Sequence, residues 1–500
     1  MPLSTHLVFA ICALLLWFSG ICLHRIFLHP LCQHPGPLLG SLTDWYAAYY
    51  TWRGDIHLKL REWHEIYGTI VRFGPNSISI NTYTGMSGVY STRANVVKAD
   101  AYSIMSASRH MPSTISSIDK KQHAAKRKVL ARLFTEKALK GVEDRVLSHV
   151  DTFCASLRAG TEAGGGVARD IAAWSDYLTL DIISDLCYGE AFGLLRAETH
   201  RYIPNVIGCV SRRNAICFVQ PIIAKYKLDR IFLSTVSTQI RQFGSWIKDQ
   251  ADTRKSAKNA GDSNDFFAHL STHQAGKDQS ALTPKEVWVE LLQLVIAGAD
   301  TTAVAISAVF FHLLRNPTAL SQVAEGVLST FQDLNDIQPG ALLRSCTFLH
   351  ACINESLRLS PPVTGLAPRK VLPGGIDVDC VHFPEGTIIG SPIYTLHRNA
   401  GYFPQPDSFV PERWLDSSKN CGDSAKVPFC PFSIGPRSCV AKRLALDEIS
   451  VTIARTLYLY EMRLDESWNG KTEYELKGWM TSGREGPFVQ FKSRQQLAKP

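Results

Sequence analysis

Phe432-Ser433-Ile434-Gly435-Pro436-Arg437-Ser438-Cys439-Val440-Ala441 is the stretch on which the reading of this chain turns. It has the makings of a bed for one metal-bound thiolate, with Cys439 as the candidate ligand. A thiolate is stabilised by backbone N–H groups and by the positive end of a helix. Residues Val440 to Leu459 alternate apolar and polar positions as an amphipathic helix does, which puts Cys439 near a helix N-terminus. Gly435 permits a tight turn and a close pass by a flat ligand, and Arg437 is a fixed cation two residues upstream of Cys439. The ligand these residues imply is large, planar and negatively charged. A cysteine taken alone, in a chain with 13 of them, is more often a small buried hydrophobe, so the neighbours carry the assignment.

The order Phe-x-x-Gly-x-Arg-x-Cys from Phe432 to Cys439 resembles the haem-binding signature of the cytochrome P-450 superfamily of haem-thiolate monooxygenases. The resemblance implies haem b, its iron ligated by the Cys439 thiolate, with Phe432 and Arg437 among the residues that bind the cofactor. One position departs from the pattern. Ala441 stands where the family usually has glycine, and its methyl bears on how closely the helix approaches the macrocycle.

Five hundred residues suggest about three domains by length alone, yet no linker separates balanced halves, and one large body is expected. With 45% hydrophobic and 20% charged residues the chain can bury a substantial core. The cysteines lack paired short spacings, which argues against a disulfide framework or zinc site. A net charge of +8 is modest, and the dispersed basic residues carry no nucleic-acid motif; an anionic membrane surface or an acidic protein are the partners it favours.

From Leu7 to Leu23 only Ser19 and Gly20 interrupt an apolar run, about the minimum for a membrane span. A cleaved signal peptide is the rival, but no cationic region precedes the run. His24 and Arg25 follow it directly and favour a cytoplasmic body. His34-Pro35-Gly36-Pro37 then stiffens the exit. The division expected is residues 1–30 as anchor and exit, and 31–500 as the catalytic body. The proline-rich hinge resembles the microsomal members of the family, which implies the endoplasmic reticulum membrane, and Phe27 to Pro37 resembles fungal sequences. Ile56 to Tyr67 is spaced as a helix, Ile70 to Ile80 as a hairpin around Gly74-Pro75-Asn76, and Met105 to Ile118 as a loop. The corresponding loop of the family covers the active site. Gly164 to Gly166 and Asp252 to Asn264 read as surface loops.

His123 and Arg127 are four apart on a predicted helix and share a face. The resemblance makes them haem propionate ligands; the plain alternative is a solvated basic face among Lys120, Lys121, Lys126 and Lys128. Leu291 to Leu314 is apolar enough to span a membrane, or to be the central helix of a core, interrupted by Ala297-Gly298-Ala299-Asp300-Thr301-Thr302. That hexapeptide resembles the acid-and-threonine motif of the family and favours the core helix. Reducing dioxygen at a dry site needs protons delivered one at a time. The Thr301 hydroxyl would hold a water or oxygen, in competition with its own carbonyl partner at Ala297, and Asp300 would relay protons from solvent.

Glu355 and Arg358 sit three apart in Asn-Glu-Ser-Leu-Arg-Leu, and Arg413 lies in Pro411-Glu412-Arg413-Trp414. Together they resemble the buried ion triad of the family. Arg369, after Pro361-Pro362, resembles its second propionate arginine, with a plain surface arginine as the alternative. Val371 to Leu396 holds two strand-like runs and reads as the larger β element, while Cys430 lacks the glycine and arginine context of Cys439. The whole implies a mainly α fold with a smaller β region, the cytochrome P-450 fold, behind a transmembrane helix.

The activity the resemblance implies is hydroxylation or epoxidation of a lipophilic small molecule, of the kind found in fungal secondary metabolism. No flavin or nicotinamide motif is present, so electrons come from a separate NADPH-cytochrome P-450 reductase, with cytochrome b5 as a second donor, docked near Lys442 and Arg443. The rivals are an aromatic-acid para-hydroxylase, a haem-thiolate isomerase or dehydratase that has no need of Asp300 and Thr301, and a haem sensor or carrier.

Overall fold

The computed structural model describes residues 3–106, 111–158, 167–256, 265–272, 282–415 and 428–494. The Gly164 to Gly166 run, the end of the 252–264 run and part of the 105–118 loop lie outside the described residues.

The helices that position the site are α1 (Leu3–Leu23), α2 (Asp44–Arg53), α3 (Ile56–Tyr67), α4 (Lys120–Ala131), α5 (Ile171–Tyr188), α6 (Ile203–Val219), α7 (Pro284–Arg315), α8 (Thr347–Leu359) and α9 (Lys442–Leu459). Helix α7 begins seven residues before Leu291, the first residue of the expected apolar stretch, because a start signal lies upstream of it. Pro284 occupies the first turn, and Thr283 and Glu286 form a reciprocal capping box. Every residue from Thr302 to Leu314 is buried. A helix apolar on all sides belongs inside a core or a bilayer, and protein surrounds this one: 67% of its most apolar window is buried, against 0% for the N-terminal helix. Helix α5 lies along it. Gly298 makes that approach close, since a Cβ there would sit 3.2 Å from the Ile183 side chain. Helix α5 is capped by Asp170, which accepts from Ala172 and Ala173 N–H, and ends at Gly189 with φ +81°.

The two β regions expected from sequence form one sheet. Its strands are β1 (Ile70–Gly74), β2 (Ser77–Ile80), β3 (Val96–Lys98), β4 (Arg369–Val371) and β5 (Ile388–Gly390), in the order β1-β2-β5-β4-β3. The predicted hairpin is present, with Ile70 opposite Ile80, and β2 pairs in parallel with β5 through Ser77–Ile388 and Ile78–Ile389. Local pattern cannot show a parallel pairing between strands some 300 residues apart. Ile376–Val378 and Val381–Phe383 form a separate small hairpin, and Ile393–Leu396 is a turn of helix.

Helix α1 exposes Leu7, Leu14, Leu15, Leu16, Trp17 and Phe18. No part of it packs into the core, so its apolar surface is left for a membrane or partner. A turn of π-helix, His24–Leu28, joins it to the body.

The Glu355, Arg358 and Arg413 triad closes as expected, and the carboxylate is busier than the sequence suggested. Glu355 accepts from Arg358 Nε (2.9 Å) and Nη2 (2.8 Å), Arg413 Nε (3.1 Å), Trp414 Nε1 (2.9 Å) and Val410 N–H (2.9 Å). All three ionic groups are buried. Removing one member of such a network leaves the others charged and unpaired, which costs about 3–5 kcal/mol. Glu355→Gln is therefore expected to lose about that much stability, read as a lower denaturation midpoint of the purified protein and a fall in soluble yield.

Candidate active site

The loop from Phe432 to Cys439 is closed by one hydrogen bond, Cys439 N–H to the Phe432 carbonyl at 2.9 Å, with Ser438 N–H bonded to the Gly435 carbonyl inside it. Gly435 has φ +73°, and a Cβ there would lie 2.0 Å from the Tyr90 carbonyl oxygen. A close approach that demands glycine here is to the backbone of Tyr90. Ser433 also takes a positive φ, 57°. Ala441 is the residue before α9, with φ −97°, so its backbone does not need glycine, and its methyl packs against the main core. The Lys442 ammonium stands 5.6 Å from the Phe432 ring centroid.

Cys439 keeps accessible surface, yet desolvation raises its thiol pKa, opposed by the Ala441 backbone, Arg127 and Lys442. Cys430 differs: it is buried, its N–H bonds to His397 Nε2 at 3.0 Å, and burial pushes its thiol up to about 12.

Cations converge above this loop from four distant segments: Lys98 at the end of β3, Arg127 on α4, Arg369 at the start of β4, and Arg437. Arg127 donates to the Ser438 carbonyl (2.6 Å), Arg437 to the carbonyls of Ser117 (2.6 Å) and Ile118 (3.1 Å), and Arg369 to that of Ala367 (2.9 Å). Lys98 donates to the Ile115 carbonyl. These acceptors are neutral. Lys98 is driven far below the ordinary lysine range, first by burial and then by Arg437, Arg369 and Arg127. Burial and Arg369 push Arg437 down to about 10, with Asp119 opposing, and burial, Arg437, Lys98 and Arg127 push His123 down to about 3. Buried like charges with so little opposing charge are the donor set of an anion site. His123 is buried among them rather than on a solvated face. Lys98 was not singled out by sequence: one lysine ending a Val-Val-Lys strand carries no local signal.

Along α7, Leu294, Ala297 and Thr301 share a face by helical spacing and are partly buried, as are Leu292, Gln293, Ile296, Gly298 and Asp300 around them. The Thr301 hydroxyl donates to the Ala297 carbonyl at 2.8 Å, as expected. Asp300 faces elsewhere. It accepts from the Thr481 hydroxyl and lies 3.3 Å from Arg484, which also pairs with Asp176 at 2.5 Å. Burial raises its carboxyl pKa, opposed by Arg484 and Thr481. Asp176, Asp300, Thr481 and Arg484 line a cleft of ≈ 600 Å³. Sequence reasoning missed Thr481 and Arg484, because nothing local couples them to Asp300.

The sequence profile of the family described as Cytochrome P-450 matches residues 30–487. The chain belongs to the cytochrome P-450 family. Similar proteins include cytochrome P-450 monooxygenase atnE of Emericella nidulans, 33% identical with 95% of each chain covered. Cytochrome P-450 monooxygenase apf7 of Gibberella fujikuroi is 34% identical over 95% of this chain and 96% of its own, and AKT7 of Alternaria alternata is 31% identical over 95% of each. This cytochrome P-450 is a haem-thiolate monooxygenase that uses a redox partner and a small-molecule substrate. Haem carries two carboxylates on its edge, and a buried cation cluster beside a desolvated thiol fits that group.

On the outer side of α9 a groove of ≈ 770 Å³ is lined by Arg344, His350, Trp414, Lys442 and Asp447. Arg443 also lines it, but is paired with Glu136 (3.1 Å) and Asp447 (3.7 Å), so it adds less free charge than its sequence position suggests.

Lys98→Met separates the two consequences of buried like charge. The haem-free protein is expected to unfold at a higher temperature, because the cost of burying that amine beside three arginines, which drives its titration down, is removed. Haem should leave the loaded protein about tenfold faster or more, the equivalent of one lost charge-assisted hydrogen bond, measured by transfer to an apoglobin acceptor.

Proposed function

We propose that this monooxygenase inserts one oxygen atom into a C–H bond, or epoxidises a C=C bond, of a lipophilic small molecule in fungal secondary metabolism. The observation that carries the residue roles is one desolvated loop thiol lying beneath cations gathered from four segments of the chain. Cys439 is the iron ligand. Lys98, Arg127, Arg369 and Arg437 bind the propionates, with His123 as a neutral donor beside them, and Phe432 shields the sulfur's side of the cofactor. An arriving carboxylate restores the charge that the cluster takes from Lys98. Bound haem supplies the oxidation of unactivated carbon by dioxygen and two electrons.

The residues of α7 manage the protons. The Thr301 hydroxyl, already donating to a backbone carbonyl, accepts from a water with its lone pairs and so holds it in place. Asp300 takes protons from water in the cleft beside Arg484 and passes them inward, its raised pKa bringing it nearer to neutral pH. Leu294 and Ala297 keep the rest of that wall apolar, as a lipophilic substrate requires.

An acidic flavoprotein, NADPH-cytochrome P-450 reductase, docks in the groove lined by Arg344, His350 and Lys442, and cytochrome b5 would use the same face. Residues 1–30 form a single-pass anchor in the endoplasmic reticulum membrane, and 31–500 the cytoplasmic catalytic body. The apolar length of α1 and the basic residues after it support that topology.

Cys439→Ser tests the ligand: the carbon monoxide adduct of the reduced protein should lose the absorption of a thiolate-bound haem, and its retention would refute the assignment. Thr301→Ala tests the proton path. The haem spectrum should persist while product per NADPH falls and peroxide rises; unchanged coupling would refute the role.

A further inference from the structure

Where α1 meets the body, a groove of ≈ 540 Å³ is lined by Trp17, Gly20, Ile21, His24, Arg25, His29, Pro75 and Asn76. Its lining changes character along the helix axis. Trp17, Gly20 and Ile21 are apolar, and an added Cβ at Gly20 would meet nothing within 4 Å. About two turns on from Trp17, roughly 10 Å along the axis, stand His24 and Arg25. That is about the depth over which a bilayer passes from acyl chain to headgroup.

The polar end is built to donate. Leu31 N–H donates to His29 Nδ1 at 3.1 Å, which places the ring proton on Nε2, and Nε2 donates to Asn76 Oδ1 at 2.9 Å. The Asn76 amide nitrogen is left as a donor. Arg25 gives one N–H to the Leu42 carbonyl and keeps the others. Behind it Arg72 is fully buried, with its guanidinium on the carbonyls of Arg25 and Pro75, both at 2.9 Å. The acid near Arg25 is Asp44, whose carboxyl burial raises and Arg25 lowers. Arg25 lines the groove and Arg72 lies buried behind it, against the carboxyl of Asp44, so this end of the groove carries net positive charge. Burial, and then Arg72, lowers the titration of His29, as expected beside that charge.

We infer that this groove binds the phosphate headgroup of an anionic phospholipid, with an acyl chain running past Gly20 beside Trp17. The inference rests on residues 1–30 being a membrane anchor. The apolar floor commits the site to a lipid rather than to free phosphate, and the cations favour an anionic headgroup over a zwitterionic one.

The test uses full-length, haem-loaded protein in neutral detergent, titrated calorimetrically with dioctanoyl phosphatidic acid, dioctanoyl phosphatidylcholine and inorganic phosphate. Saturable binding is expected for phosphatidic acid alone. Arg25→Gln should weaken it about fivefold, the worth of one cation near a headgroup, while Arg25→Lys retains it. An intact carbonyl spectrum of the reduced haem reports that each variant is folded. Equal binding of phosphatidylcholine, equal binding of inorganic phosphate, or indifference to Arg25→Gln would overturn the inference. The anchor is read separately, by alkaline extraction of membranes. Protein that stays in the membrane but ignores phosphatidic acid overturns the headgroup site alone; protein that is extracted overturns the anchor.

Discussion

Like charges held together away from water are the constraint around which this structure is arranged. In general, two unit charges about 8 Å apart repel by roughly 2 kcal/mol at an effective dielectric near 20, so gathering several cations away from water is costly. Lys98, Arg127, Arg369 and Arg437 come from β3, α4, β4 and the cysteine loop, so their convergence requires the sheet, the helical body and the loop all to be in place. The neutral carbonyls of Ile115, Ser117, Ile118, Ser438 and Ala367 occupy some of their donors but cancel no charge. On the proposed reading, the haem carboxylates would complete a site that the polypeptide alone leaves electrostatically unbalanced, and cofactor binding would add to folding stability for that reason.

The carboxylate of Glu355 solves the opposite problem. Five donors surround it in a dry interior, and its charge is matched by Arg358 and Arg413. This network tethers α8 to the segment that leads into the cysteine loop, while Gly435 seats that loop on the Tyr90 backbone. The position of Cys439 is therefore fixed from two sides, by an ion network upstream and by a backbone contact that admits no side chain.

Much of the site was legible in local sequence because its parts are local. Glu355 and Arg358 share a helix face at spacing three, His123 and Arg127 at spacing four, and the cysteine loop carries its glycine and arginine within eight residues. Where the reading was incomplete, the missing partner lay far away in the chain. Arg484 and Thr481 reach Asp300 across some 180 residues, and Lys98 is identified only by the three arginines around it. The sheet shows the same limit. Alternation found the Ile70–Ile80 hairpin, but the parallel pairing of β2 with β5 joins segments whose relation no period encodes.

By itself the sequence determined the thiolate loop, the apolar central helix, the apolar N-terminal helix and the family, since hydrophobic period and short-range motifs record backbone geometry directly. Tertiary structure alone decided which of two apolar helices is enclosed by protein, which cations share a site, and where Asp300 finds its partners. Those outcomes depend on burial and on charge at a distance, and both are properties of the packed chain rather than of any segment in it.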